Sequence, residues 1–123
     1  MDIGIAIISH SNLVAKGIEQ LIREVAKDIP LVAIGGTEDG GIGTSFDRIN
    51  QAVEILPTDI ILAFFDLGSA KMNLELVNDF SDKEIQIQST PILEGAYTAS
   101  ALLQAGADLE VISHQLAELQ IEK

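Results

Sequence analysis

Six apolar residues, Ile3–Ile8, lead directly into the polar turn Ser9-His10-Ser11-Asn12, and a helical pattern follows at once. No other stretch constrains the fold as strongly. A short, nearly continuous run of Ile and Ala without alternation reads as a strand buried on both faces, as in a parallel sheet. After the turn, Leu13, Val14, Gly17, Ile18, Leu21, Ile22 and Val25 recur at helical spacing, with Lys16, Glu19, Gln20, Arg23 and Glu24 on the opposite side. Ser11 or Asn12 is placed to cap that helix. His10 is therefore expected at the carboxyl tip of a strand, beside a helix start. Ligands bind there in open α/β sheets, and the N–H groups of a helix start favour anions such as phosphate.

The same alternation continues along the chain. Leu31–Ile34 forms a second short apolar run between Pro30 and Gly35-Gly36. Gly35–Ser45 holds five glycines in eleven residues, with neither the Gly-Lys-Ser/Thr of a P-loop nor a GxGxxG at the first turn. It reads as a glycine loop, mobile or folded over the site against an anion, ending at Thr44 or Ser45 as cap of a helix over 46–56. Asp59–Phe65 is a third strand buried on both faces. It ends at Asp66-Leu67-Gly68-Ser69-Ala70, where a helix to about Phe80 begins. Ile85–Ile87, where Ile alternates with Gln, suits a weaker strand near an edge. Pro91-Ile92-Leu93 reads as a brief extended piece, followed by a helix over 94–104 with an alanine-rich face. Gly106 closes that helix, and Asp108 caps a last one with Val111, Ile112, Leu116 and Leu119 as its stripe.

Strands alternating with helices predict a doubly wound, mainly parallel α/β sheet of about four strands, helices on both faces, in the flavodoxin-like order 2-1-3-4. In that order the first and third strands are neighbours, so the tips carrying His10 and Asp66 come together. The 123 residues are the size of one domain, 1–123.

Composition removes several classes of function. The absence of Cys excludes disulfides and thiol chemistry. Nineteen acidic residues against seven basic ones give a net charge of −12, which argues against nucleic acid. The same field suits solubility or the steering of a basic protein partner. No apolar segment is long enough to span a membrane and nothing resembles a signal peptide, so a soluble cytoplasmic protein is expected. His10, Asp66, Glu38 and Asp39 lack the spacing of a metal site, and aromatics at 4% offer little for a flavin to stack on.

What the pairing supports is nucleophilic chemistry on phosphorus. One ring nitrogen of a neutral imidazole attacks while the other keeps its proton; a carboxylate that accepts this N–H fixes the tautomer and steadies the ring as it gains charge. Phosphoryl oxygens would be held by amides at the Ser11–Asn12 helix start and by hydroxyls of Ser9, Ser11 or Ser69. His114, within a helical stripe, reads as structural or exposed.

Ser9-His10-Ser11, Ile42-Gly43-Thr44, Asp66-Leu67-Gly68-Ser69-Ala70, and Pro91-Ile92-Leu93-Glu94-Gly95 leading to Gly106-Ala107-Asp108 occur in an order that resembles the mannose-class EIIA domains of the bacterial phosphoenolpyruvate-dependent phosphotransferase system. Within that class the motifs are more similar to the branch serving phosphoenolpyruvate-dependent dihydroxyacetone kinase. The sugar-transport branch typically has Gly after its histidine and Gly-Gly-Ser-Pro after its Asp, where this chain has Ser11 and Leu67-Gly68-Ser69-Ala70.

The resemblance implies that His10 accepts a phosphoryl group from phospho-HPr and passes it to ADP on the nucleotide-binding subunit of the kinase. Asp66 then partners the histidine, and Gly43, Thr44 and Gly68 join Ser9, Ser11, Asn12 and Ser69 as phosphoryl-binding positions. It implies a homodimer, no cofactor, and separate general carriers in place of fused ones; a sugar-transport EIIA component is the alternative.

Overall fold

In the computed structural model, which describes residues 2–123, five helices flank a sheet of four parallel strands. The elements run β1 (Ile3–Ser9), α1 (Asn12–Arg23), β2 (Leu31–Gly35), α2 (Phe46–Ile55), β3 (Ile60–Phe65), α3 (Gly68–Phe80), β4 (Glu84–Gln88), α4 (Ile92–Gln104) and α5 (Leu109–Ala117). Sheet order is β2-β1-β3-β4, every pair parallel, as the alternation of strands and helices predicts.

Successive side chains of a strand point to opposite faces, and the two central strands fill two cores in this way. Ile5, Ile7, Leu62 and Phe64 pack with Ile18 and Ile22 of α1, Ala96 and Ala99 of α4, and Ile112 and Leu116 of α5. Ala6, Ile8, Ala63 and Phe65 pack with Ile49 and Val53 of α2 and Leu74 and Val77 of α3. Both faces are covered, which is why neither strand alternates polar with apolar. Full burial of Phe64 and Phe65 contributes about 2–3 kcal/mol each and pins the end of β3, from which Asp66 projects.

Two expectations are corrected. Pro91–Leu93 is not an extended piece: α4 begins at Ile92, and the Gly95 N–H donates to the Pro91 carbonyl at 2.9 Å. Proline's fixed φ suits a helix entrance. Gly95 is required there, since a Cβ would lie 1.8 Å from Thr90 Oγ1. The apolar stripe of α1 is also wider than the sheet can cover. Ala15, Ile18 and Ile22 are buried, whereas Leu13, Val14, Leu21 and Val25 stay exposed. Leu21 and Val25 line an apolar groove with Leu93 and Tyr97 of α4.

Candidate functional site

The β1–β3 pairing sets Ile8 beside Phe65, so the residues just beyond them share the carboxyl edge of the sheet. The Asp66 carboxylate collects four hydrogen bonds there. Oδ2 accepts from the Ser9 hydroxyl at 2.6 Å and the His10 N–H at 3.0 Å, and Oδ1 from the Leu67 N–H at 2.7 Å. The fourth is the ring: His10 Nδ1 lies 2.8 Å from Oδ1. Burial alone would raise the Asp66 pKa, but the bonds from Ser9, His10 and Leu67 outweigh it and hold the carboxyl below its ordinary 3.8.

An ionised carboxylate only accepts, so His10 Nδ1 carries the proton, and in the neutral ring Nε2 then has the lone pair. Nε2 stands 2.5 Å from Ser69 Oγ in the first turn of α3, and the Ser69 hydroxyl donates to it. The residue at the α3 N-cap, Leu67, has no side chain to cap the helix. Gly68 and Ser69 therefore begin α3 with N–H groups that lack intrahelical acceptors, on the side of the ring that Nε2 faces. The His10 side chain is 15% exposed and that of Asp66 19%, so the pair is shielded yet reachable.

A family model described as PTS system fructose IIA component (EIIA-man) matches residues 4–113. The chain belongs to this EIIA family. It is 58% identical over 123 residues to a protein of Lactococcus lactis described as PTS-dependent dihydroxyacetone kinase, phosphotransferase subunit DhaM, with 100% of both chains covered. To the phosphoryl donor subunit DhaM of PEP-dependent dihydroxyacetone kinase 1 from Listeria innocua it is 50% identical, covering 97% of this chain and 96% of that one. Its fold is like that of a phosphotransferase system component EIIA from Streptococcus agalactiae, with a TM-score of 0.69 at 20% identity over 94% of this chain and 90% of the other.

The other expected positions of this EIIA chain divide by what they touch. Ser9 is fully buried; its hydroxyl donates to Asp66 and accepts from the Ser11 N–H at 3.0 Å. Buried and engaged on both sides, it supports the carboxylate. Ser11 caps α1 by accepting from the Val14 N–H, with Asn12 as the exposed first helical residue. The Gly43 N–H is engaged too, on the His10 carbonyl at 2.9 Å, so the glycine loop packs against the histidine turn. Gly43 adopts φ +139 there, a conformation that favours glycine. Thr44 Oγ1 accepts from Asn73 Nδ2 at 2.8 Å, tying the loop to α3, and it is Ser45 that caps α2. His114 is exposed in the last turn of α5, distant in sequence and in element from the two strand tips.

Sequence reasoning missed two contacts. The Leu67 N–H on Asp66 is a backbone group with no compositional signal. Lys123 donates to the carbonyl of Phe65, the residue before Asp66, from a polar segment where nothing announces a tertiary contact.

Proposed function

We propose that this chain is the phosphoryl-donor subunit of a phosphotransferase-system-dependent dihydroxyacetone kinase, with His10 Nε2 as the point of attachment. What carries the choice of a kinase over a sugar transporter is the 58% identity to the Lactococcus DhaM across the full length of both chains. The chain is a carrier; action on dihydroxyacetone belongs to its partner.

HPr is the proposed donor. Nε2 attacks the phosphorus of its phosphohistidine, the new N–P bond forms as the old one breaks, and the electron pair returns to the donor's ring nitrogen. The proton on Nδ1 stays between ring and carboxylate while Asp66 stabilises the developing positive charge. Ser69 moves from the Nε2 lone pair to a phosphoryl oxygen, beside the amides of Gly68 and Ser69 at the α3 start. In the second transfer an oxygen of the ADP terminal phosphate attacks, on the nucleotide-binding subunit, and the Nε2–P bond breaks. Asp66 and Ser69 then return to their resting bonds.

Residues 1–123 act on this reading as a single EIIA domain in the cytoplasm, and among the described residues no helix is long and apolar enough to cross a membrane. A homodimer is part of the proposal. Of the C-terminal stripe, Ile112 and Leu116 are buried within the chain while Val111 stays exposed; the apolar groove of Leu21, Val25, Leu93 and Tyr97 is the surface that supports association. The reading is tested by mixing the phosphorylated protein with ADP-loaded kinase subunit and, separately, with sugar-transporter carrier domains. Rapid loss of phosphate to ADP is expected, and loss only to the transporter domains would overturn the assignment.

A further inference from the structure

The residues after α5 fold back onto the sheet. Ile121 donates its N–H to the Ser89 carbonyl at 2.8 Å, and Gln120 Nε2 reaches Gln88 Oε1 at 3.3 Å, so the segment follows the end of β4 toward the carboxyl edge. It delivers Lys123 to the tip of β3. The ammonium group donates to the Phe65 carbonyl and lies 4.3 Å from the centroid of the Phe65 ring. Asp66 is the next residue. The backbone of Lys123 also borders the start of α3, where a Cβ on Gly68 would come within 3.8 Å of the Lys123 carbonyl oxygen.

Four other basic side chains are engaged elsewhere. Lys16 donates to the Ala33 carbonyl, Arg23 to those of Ala26 and Ile29, Arg48 to Gly35, and Lys83 to Val53. Burial lowers the Lys123 pKa while the charge of Asp66 pulls it back up, so cation and carboxylate sense one another. A phosphoryl group on His10 brings further negative charge to this edge, beside a carboxylate held ionised and in a chain of net charge −12. Such crowding of like charge disfavours the loaded state unless a cation offsets it.

We propose that Lys123 is a positioning residue for phosphoryl transfer: fastened to the Phe65 carbonyl, it holds the Phe65–Asp66 corner, and its charge offsets that of Asp66 when His10 is loaded. The inference rests on the reading of His10 as the phosphoryl carrier. It differs from a packing role in depending on a cationic donor, which Lys123→Arg retains and Lys123→Met removes while keeping the apolar stem.

The test uses potassium phosphoramidate, a small donor that needs no docking surface, with phosphohistidine followed by 31P NMR. Exposed His114 in the same molecule reports the reagent's own reactivity, so the rate at His10 is read relative to it. Lys123→Met keeps the length and apolar stem and should slow labelling of His10 about fivefold. Lys123→Glu should slow it further, and Lys123→Arg should stay within about twofold of the unsubstituted protein. Labelling of Lys123→Met at the original rate, or of Lys123→Arg as slowly as Lys123→Met, would overturn the proposal. If His10 of the unsubstituted protein takes no label, the carrier reading itself has failed, an outcome distinct from an effect confined to the variants.

Discussion

Asp66 Oδ1 accepts the Nδ1 proton of His10 at 2.8 Å while the rest of the same carboxylate is filled by Ser9, Leu67 and the His10 backbone. The carboxylate cannot turn away, so the ring cannot either. An ionised Asp in this position holds one tautomer, with Nε2 free to attack. Asp66→Asn introduces an NH2 group that cannot accept from Ser9, Leu67 or His10, and the favoured tautomer is lost. A comparable Asp→Asn change in a Ser-His-Asp triad costs about 10⁴-fold, and a loss of about 10²- to 10⁴-fold in phosphoryl transfer is expected here. Single-turnover transfer from phospho-HPr measures it, with circular dichroism to confirm an intact fold; a rate within twofold of the original would contradict the assignment.

The lowered pKa of Asp66 ties stability to pH. A carboxyl whose pKa is depressed on folding stabilises the native state above its unfolded value and loses that contribution as pH falls through the folded value. Stability contributed by Asp66 is therefore complete at neutral pH and declines below the ordinary 3.8. Urea unfolding of the original protein and of Asp66→Asn should differ most near pH 7, and the gap should narrow as pH falls below 3.8. A gap that widens with acid would mean the carboxyl is not held ionised.

Ser69 is exposed and its hydroxyl sits 2.5 Å from Nε2. Ser69→Ala should leave the unfolding temperature unchanged within about 2 °C, because surface substitutions away from caps and cores change stability by less than about 0.5 kcal/mol. It should slow transfer about tenfold, roughly 1.4 kcal/mol of barrier, by removing one donor to the phosphoryl oxygens. Stopped-flow transfer rates at saturating donor are the check, and a faster variant would show that the hydroxyl only blocks the lone pair.

Much of this site could be read before the fold was seen, for a definite reason. Ile3–Ile8 and Ile60–Phe65 lack alternation because Ile5 and Phe64 serve one core while Ile8 and Phe65 serve the other. Strands of that kind sit centrally, which makes β1 and β3 neighbours and brings His10 and Asp66 to one edge. Details decided by tertiary contact were not legible. Ser9 has the chemistry of a phosphoryl ligand, but its burial turns it into a support for Asp66. Pro91–Leu93 has an extended-looking apolar composition, yet Gly95 lets the chain approach Thr90 closely enough to start α4. The exposed Leu13 and Leu21 have the spacing of core residues, and periodicity cannot tell how wide a stripe the sheet will cover.

The close approach of β2 to the histidine turn depends on one missing side chain. A Cβ on Gly35 would lie 2.2 Å from the Ser11 carbonyl oxygen and 2.8 Å from the Asn12 nitrogen, both backbone atoms. Gly35→Ala must push the turn that carries His10. A loss of about 1–3 kcal/mol is expected from such overpacking, read as a lower urea midpoint, together with slower phosphorylation of His10. An unchanged midpoint would mean the turn yields without cost.

The central claim is that Nε2 of His10 is the atom that takes the phosphoryl group, and heteronuclear NMR of the 15N-labelled protein tests it most directly. After phosphorylation with phosphoenolpyruvate, EI and HPr, the one- and two-bond 1H–15N couplings of the ring identify the nitrogen bonded to phosphorus. The expected result is phosphorus on Nε2 of His10, a proton retained on Nδ1, and an unmodified His114. Phosphorus on Nδ1 of His10, or label on His114, would contradict the geometry set by Asp66.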